Sequence, residues 1–118
     1  MTFEEVCTYC LAKVGCEETY PFDQTTLVFK VGGKMFALID VVDWTTINLK
    51  CDPERAIELR EQYAEIIPGY HMNKTHWNTV QLNGSLSNQL IYELIDHSYE
   101  LVFNSLPKKI KLELKADF

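Results

Sequence analysis

Two adjacent glycines, Gly32-Gly33, stand between two runs of strand-forming residues. Before them Leu27, Phe29 and Val31 alternate with Val28 and Lys30, and after them Met35 to Val42 form a more apolar run. Alternation at period two marks a half-buried strand. A two-residue connection with positive φ at both positions favours glycine, so the two runs are predicted to pair as a tight antiparallel hairpin. Asp43-Trp44-Thr45 forms the next turn, and Ile47 and Leu49 alternate with Thr46, Asn48 and Lys50 in a third strand. Strands joined this closely cannot pair in parallel, because a parallel pair needs a long crossover.

Helices are predicted on both sides of this unit. Thr2 and Glu5 have the spacing of a capping box, and Phe3, Val6, Cys7, Cys10, Leu11 and Val14 follow at helical intervals. Gly15 is the predicted stop, which gives a first helix over 3–15. Asp52-Pro53 pairs a capping acceptor with a proline at the first helical position. This second helix carries Ala56, Leu59, Arg60 and Tyr63 on one side and ends before Pro68. Trp77 to Leu82 reads as a strand, with Asn78, Val80 and Leu82 on one side and Trp77, Thr79 and Gln81 on the other. Ser87 caps the last helix, where Leu86 and Ile91 have the spacing of a hydrophobic staple. The predicted order is α-β-β-β-α-β-α. That order is an α+β domain of residues 1–107 with helices packed on one face of an antiparallel sheet, followed by a basic C-terminal tail, 108–118.

Composition excludes several classes. No apolar run approaches the roughly 18 residues of a membrane span, so no membrane association is expected. Glu4 and Glu5 stand where a signal peptide would need basic residues, so a cytoplasmic location is expected. The four cysteines, Cys7, Cys10, Cys16 and Cys51, are then expected to be reduced thiols. Cys7-Thr8-Tyr9-Cys10 lies on the apolar stripe of the first helix, where it reads as packing and not as a redox or metal motif. The net charge of -6 argues against a general polyanion binder. The acids concentrate in the predicted helices, however. If Phe29, Ile47 and Val80 face the helices, the opposite sheet face offers Lys30, Asn48, Lys50, Thr79 and Gln81, and is expected to be polar and faintly basic.

The densest polar cluster is Pro68-Gly69-Tyr70-His71-Met72-Asn73-Lys74-Thr75-His76. No acid occurs between Ile66 and Tyr92, and His71, Asn73, Lys74, His76, the Trp77 indole and Asn78 are all donors. Two histidines fall short of a zinc ligand set. The chain has no G-x-S-x-G elbow, no phosphate-binding glycine loop and no H-E-x-x-H, so neither an enzyme nor a cofactor is expected.

The string PGYHMNKTHWNTVQLNGSL, with LKCDPERAIELREQY before it and LIDHSYELV after it, resembles the MmcQ/YjbR family of small bacterial proteins. VFKVGGKMFAL fits the same pattern, and the resemblance covers about residues 2–106. It implies a CyaY-like (frataxin-like) α+β fold and similarity to the double-wing domain of the phage transcription factor MotA, which sets a concave sheet surface against DNA. It implies no enzymatic activity. Two partners follow from this reading. DNA would be met by Lys30, Lys34, Lys50 and Lys74 at phosphates and by Asn48, Asn73, His71, His76 and Gln81 at base edges, with Trp44 or Trp77 stacking. Alternatively, a protein or a small anionic ligand would sit at the His71–Trp77 loop, with Asn78 among its donors. An iron or zinc site by analogy with frataxin would need gathered carboxylates such as Glu4, Glu5, Glu17 and Glu18. Fold analogy alone is a weak warrant for one, and no metal is expected.

Overall fold

In the computed structural model, which describes residues 1–70 and 72–116, the capping box forms as the spacing predicts. The Thr2 hydroxyl accepts from the Glu5 N–H and donates to its carboxylate, opening helix α1 (Phe3–Leu11). The helix ends four residues before Gly15. The Lys13 N–H bonds back to the Cys10 carbonyl, tightening the chain into a turn, and the Lys13 ammonium pairs with Asp96. Gly15, at φ +72°, then starts an edge strand, β1 (Cys16–Thr19). Cys-Glu-Glu-Thr carries no apolar alternation, so the sequence does not signal this strand. On α1 Cys10 is buried, while Cys7 is half-buried against the same core. Burial first, then the Glu18 charge, pushes the Cys7 thiol up to about 11, and burial raises Cys10 further. Both are poor nucleophiles at neutral pH.

The hairpin follows as β2 (Thr26–Val31) and β3 (Lys34–Asp40), with Gly32 and Gly33 at φ +57° and +81°. Next come β4 (Thr46–Lys50), α2 (Pro53–Gln62), β5 (Ile66–Pro68), β6 (Trp77–Gln81) and α3 (Asn88–Asn104). Residues 108–116, expected as a tail, form helix α4 (Lys108–Ala116), which packs Ile110 and Leu114 on the core. The six strands form one antiparallel sheet in the order β1-β2-β3-β4-β6-β5, with the helices on one face. This is the α+β fold expected, with edge strands β1 and β5 added. The core lies between that face and the helices and includes Phe29, Phe36, Ile39, Ile47, Val80, Ile91 and Ile95.

A bulge sits at the hairpin end of β3. Phe29 pairs with Ala37 but Lys30 pairs with Met35, so Phe36 is an extra residue, and it is buried beside Ala37. Such a bulge interrupts the ladder and leaves backbone groups to be satisfied otherwise. Ser98 of α3 does this. Its hydroxyl donates to the Phe36 carbonyl at 2.5 Å and accepts from the Lys50 N–H at 2.9 Å. Ser98→Ala is therefore expected to destabilise the protein by about 2 kcal/mol, because two backbone groups lose their partner at a buried position. Urea unfolding of the two proteins measures it, and a change within error would refute this account.

His97, one residue earlier, accepts from the Asp52 N–H through Nε2 at 3.1 Å, joining α3 to the N-cap of α2. Only the neutral ring can accept there. Burial, and then the Arg55 charge, hold its pKa below the ordinary histidine value. The unfolded chain therefore binds the proton more readily. The stability that His97 contributes is fully present above its unfolded pKa and is lost as pH falls through the folded one. The melting temperature is expected to drop as pH is lowered below about 6.5, and His97→Gln should flatten that part of the profile. An identical slope in the variant would remove His97 as the cause.

Candidate binding surface on the outer sheet face

Cross-strand partners share a face, so the register defines the side of the sheet away from the helices. One row runs across all six strands: Thr19, Val28, Leu38, Asn48, Thr79 and Ile67. Toward the hairpin end lie Glu17, Lys30 and Met35 on one side and the Lys50–Trp77 pair on the other. Toward the opposite end lie Thr26 with Asp40 and Thr46 with Gln81.

This face is not the polar, faintly basic surface expected. Val28, Leu38 and Trp77 are buried there as a second apolar cluster, with Met35 and Met72 packed against it. Val28 and Leu38 are out of phase with the core residues of their strands, which is the signal that sequence reading passed over. The charges are also unevenly divided, with exposed Glu17 directly across from Lys30. Lys30, Lys34 and Lys50 stand at the hairpin end, with Lys74 on the loop beside Trp77. Asp23, Asp40 and Asp43 border a cleft of about 570 Å³ at the other end. Lys34 and Lys74 are exposed, and Lys30 and Lys50 half-buried.

The loop between β5 and β6 is held by its own backbone. The Gly69 N–H donates to the Trp77 carbonyl at 2.8 Å, and the His76 and Trp77 N–H groups donate to the Asn73 carbonyl. Asn73 Oδ1 accepts from the Thr75 N–H at 2.9 Å in an Asx turn, and the residue is exposed. Gly69 is required by close approach, since a Cβ there would stand 2.8 Å from Trp77 Cβ and 2.9 Å from its carbonyl. Lys74 reaches back toward the Gly69 carbonyl at 3.5 Å. His76 is exposed, and Trp77 is only 8% exposed. His71 lies outside the described residues. An anion site at this loop would find the Gly69, Met72, Thr75, His76 and Trp77 N–H groups already donated.

Asn78 takes no part in the outer face. It is buried on the helix side, where Oδ1 accepts from Arg60 Nε at 2.6 Å. The same guanidinium donates to the Lys74 carbonyl and, at 3.3 Å, to the Trp77 carbonyl. Arg60 thus fastens the loop to α2, a role its place on the inner side of that helix does not reveal. Asn48 is engaged by Thr79, whose hydroxyl donates to Oδ1 at 2.5 Å and accepts from the Tyr70 N–H. Gln81 is exposed at the acidic end.

The YjbR family model matches residues 11–101, which include the whole outer face and the β5–β6 loop. The chain belongs to the YjbR family. It is 40% identical over 110 residues to the uncharacterized protein YjbR of Escherichia coli, covering 92% of this chain and 93% of that one. The uncharacterized protein YyaQ of Bacillus subtilis is 30% identical over 116 residues, 86% of this chain and 98% of the relative. A crystal structure from Deinococcus radiodurans superposes with a TM-score of 0.90 at 42% identity, covering 97% of this chain and 88% of that one. One from Pseudomonas syringae gives 0.73 at 32% identity, over 86% and 99%. The YjbR fold seen here therefore includes the strands and loop that build the outer face. Among the described residues no helix is long and apolar enough to cross a membrane.

Proposed function

We propose that this YjbR-family protein is a non-enzymatic DNA-binding protein that meets the sugar-phosphate backbone with the hairpin end of its sheet. The observation that carries the reading is the register. It sets Lys30 and Lys50 on one face at one end, with Lys34 at the hairpin and Lys74 on the adjoining loop. Leu106 packs against Gly32, so α4, which follows it with Lys108, Lys109, Lys111 and Lys115, starts beside the same end. Lysines position a protein on phosphates, while the exposed Asn73 amide and His76 are the groups available to base edges. The footprint is narrower than that of a whole concave sheet, because the aspartates at the far end repel phosphate.

Four phosphate contacts imply a slope of log K against log salt of about -3.6. Titration of a labelled duplex at several salt concentrations tests this. Lys74→Ala is expected to reduce the slope by about 0.9, with weakening that does not depend on sequence. Asn73→Ala should instead alter sequence preference, with the Asx turn's loss monitored by thermal melting. No binding at micromolar protein and low salt would overturn the reading.

A further inference from the structure

The apolar and charged groups at the far end of the outer face fit a different partner. The cleft of about 570 Å³ has Leu38 and Met72 in its floor and Phe22 and Tyr70 in its walls. That volume lies within the range of sites that hold small ligands or several side chains. Its described lining residues carry three carboxylates, Asp23, Asp40 and Asp43, and no basic group. Phe22 is 64% exposed, and Val42 and Trp44 on the neighbouring β3–β4 turn are exposed as well. Large apolar side chains gathered at a surface mark interaction sites more often than isolated ones do. Two of the three carboxylates are held by backbone donors. Asp40 Oδ1 accepts from the Val42 and Asp43 N–H groups at 2.8 and 3.0 Å, and Asp23 Oδ1 accepts from the Thr25 and Thr26 N–H groups at 2.9 and 2.6 Å. Such bonds stabilise the ionised form, and those from the Thr25 and Thr26 backbone hold the Asp23 carboxyl below the usual range.

We propose that this cleft binds a segment of another protein that presents arginine or lysine side chains beside an apolar one. Charge complementarity selects the occupant. Carboxylates on an open rim accept guanidinium forks, exposed aromatic faces attract the same cations, and Leu38 and Met72 take the apolar side chain. A phosphate-bearing ligand meets only repulsion. A second copy of this chain, whose α4 sets the 59% exposed Leu112 among Lys108, Lys111 and Lys115, is the competing occupant, and sedimentation separates the two. The cleft and the lysine end are separate surfaces, so this proposal and the DNA reading fail independently.

The probe is a fluorescein-labelled octapeptide of four Arg-Leu repeats, followed by anisotropy at physiological salt. It is expected to bind at least about tenfold more tightly than the Glu-Leu and Arg-Gly octapeptides, a difference of about 1.4 kcal/mol in each case. The pair D40N/D43N keeps an acceptor oxygen for the turn and should weaken binding about tenfold, without weakening DNA binding. Trp44→Ala, on the same turn, should weaken it severalfold. The pair E58Q/E61Q on α2 removes equal charge elsewhere and should change it less than twofold. Equal affinity for Glu-Leu or Arg-Gly peptides overturns the proposal, as does an equal loss in E58Q/E61Q, which would mean attraction by net charge alone. Sedimentation showing a self-associated protein that D40N/D43N dissociates also overturns it, in favour of a second copy.

Discussion

An Arg60→Ala variant is expected to lose about 3 kcal/mol of stability, because one guanidinium serves three acceptors and the buried Asn78 Oδ1 and the Lys74 carbonyl lose it outright. Asn78 is 2% exposed, so its Oδ1 has no water to replace the Arg60 Nε. The Lys74 carbonyl loses the Arg60 donor at the same time, while the Trp77 carbonyl keeps the Gly69 N–H. Arg60→Lys should recover little, since a single ammonium cannot reproduce the planar fork that reaches both Asn78 and the loop. The consequence extends to the surface. With the loop unfastened from α2, Lys74 and His76 lose their fixed position, so the DNA affinity proposed above should fall in Arg60→Ala although Arg60 itself lies on the helix side of the sheet. Urea unfolding together with duplex titration checks both parts. A variant with native stability would show that the loop is held by its backbone bonds alone.

Trp77→Ala is expected to cost about 4 kcal/mol, in the range for truncating a buried aromatic residue. Trp77 covers Val28 and Leu38 on the outer face, and Met35 and Met72 pack around them. Removal opens a cavity on a side of the sheet that no helix covers, where water can enter. Trp77→Phe should keep more than half of the lost stability by retaining an aromatic surface over Val28. Because Gly69 lies against Trp77 Cβ, the backbone bond from the Gly69 N–H to the Trp77 carbonyl should survive in both variants. Urea unfolding ranks the three proteins, and a Trp77→Ala value under about 1 kcal/mol would mean that the outer cluster adds nothing beyond surface contact.

Much of the inner architecture is legible in local chemistry. Thr2, Asp52 and Ser87 cap the three predicted helices, each accepting from the backbone N–H three residues on. Gly32 and Gly33 turn the hairpin at positive φ, and Phe29, Ile47 and Val80 bury themselves on the helix side. Helix α1 is shorter than its apolar spacing suggests, because Val14 continues the pattern after the backbone has left it. Strands β1 and β5 are not legible, since Cys16–Thr19 and Ile66–Pro68 are short edge pieces that exist through their neighbours' unpaired backbone groups.

The candidate site divides in the same way. Sequence alone determined that lysines occupy the outward positions of β2 and β4 and that the 66–92 segment is free of acids, because residue identity and strand alternation are local properties. It could not determine that Lys30, Lys50 and Lys74 share one end, that Asn78 turns inward to Arg60, or that Val28, Leu38 and Trp77 meet. Nor could it place Asp23, Asp40 and Asp43, from two separate turns, around one cleft. Each of these depends on which strand lies beside which and in what register. In this fold β4 pairs with β6 across an intervening helix and loop, and the β3 bulge shifts Met35 and Phe36 relative to their partners. Those choices are made by the burial of residues far apart in the chain, so only the assembled core fixes which charges face one another.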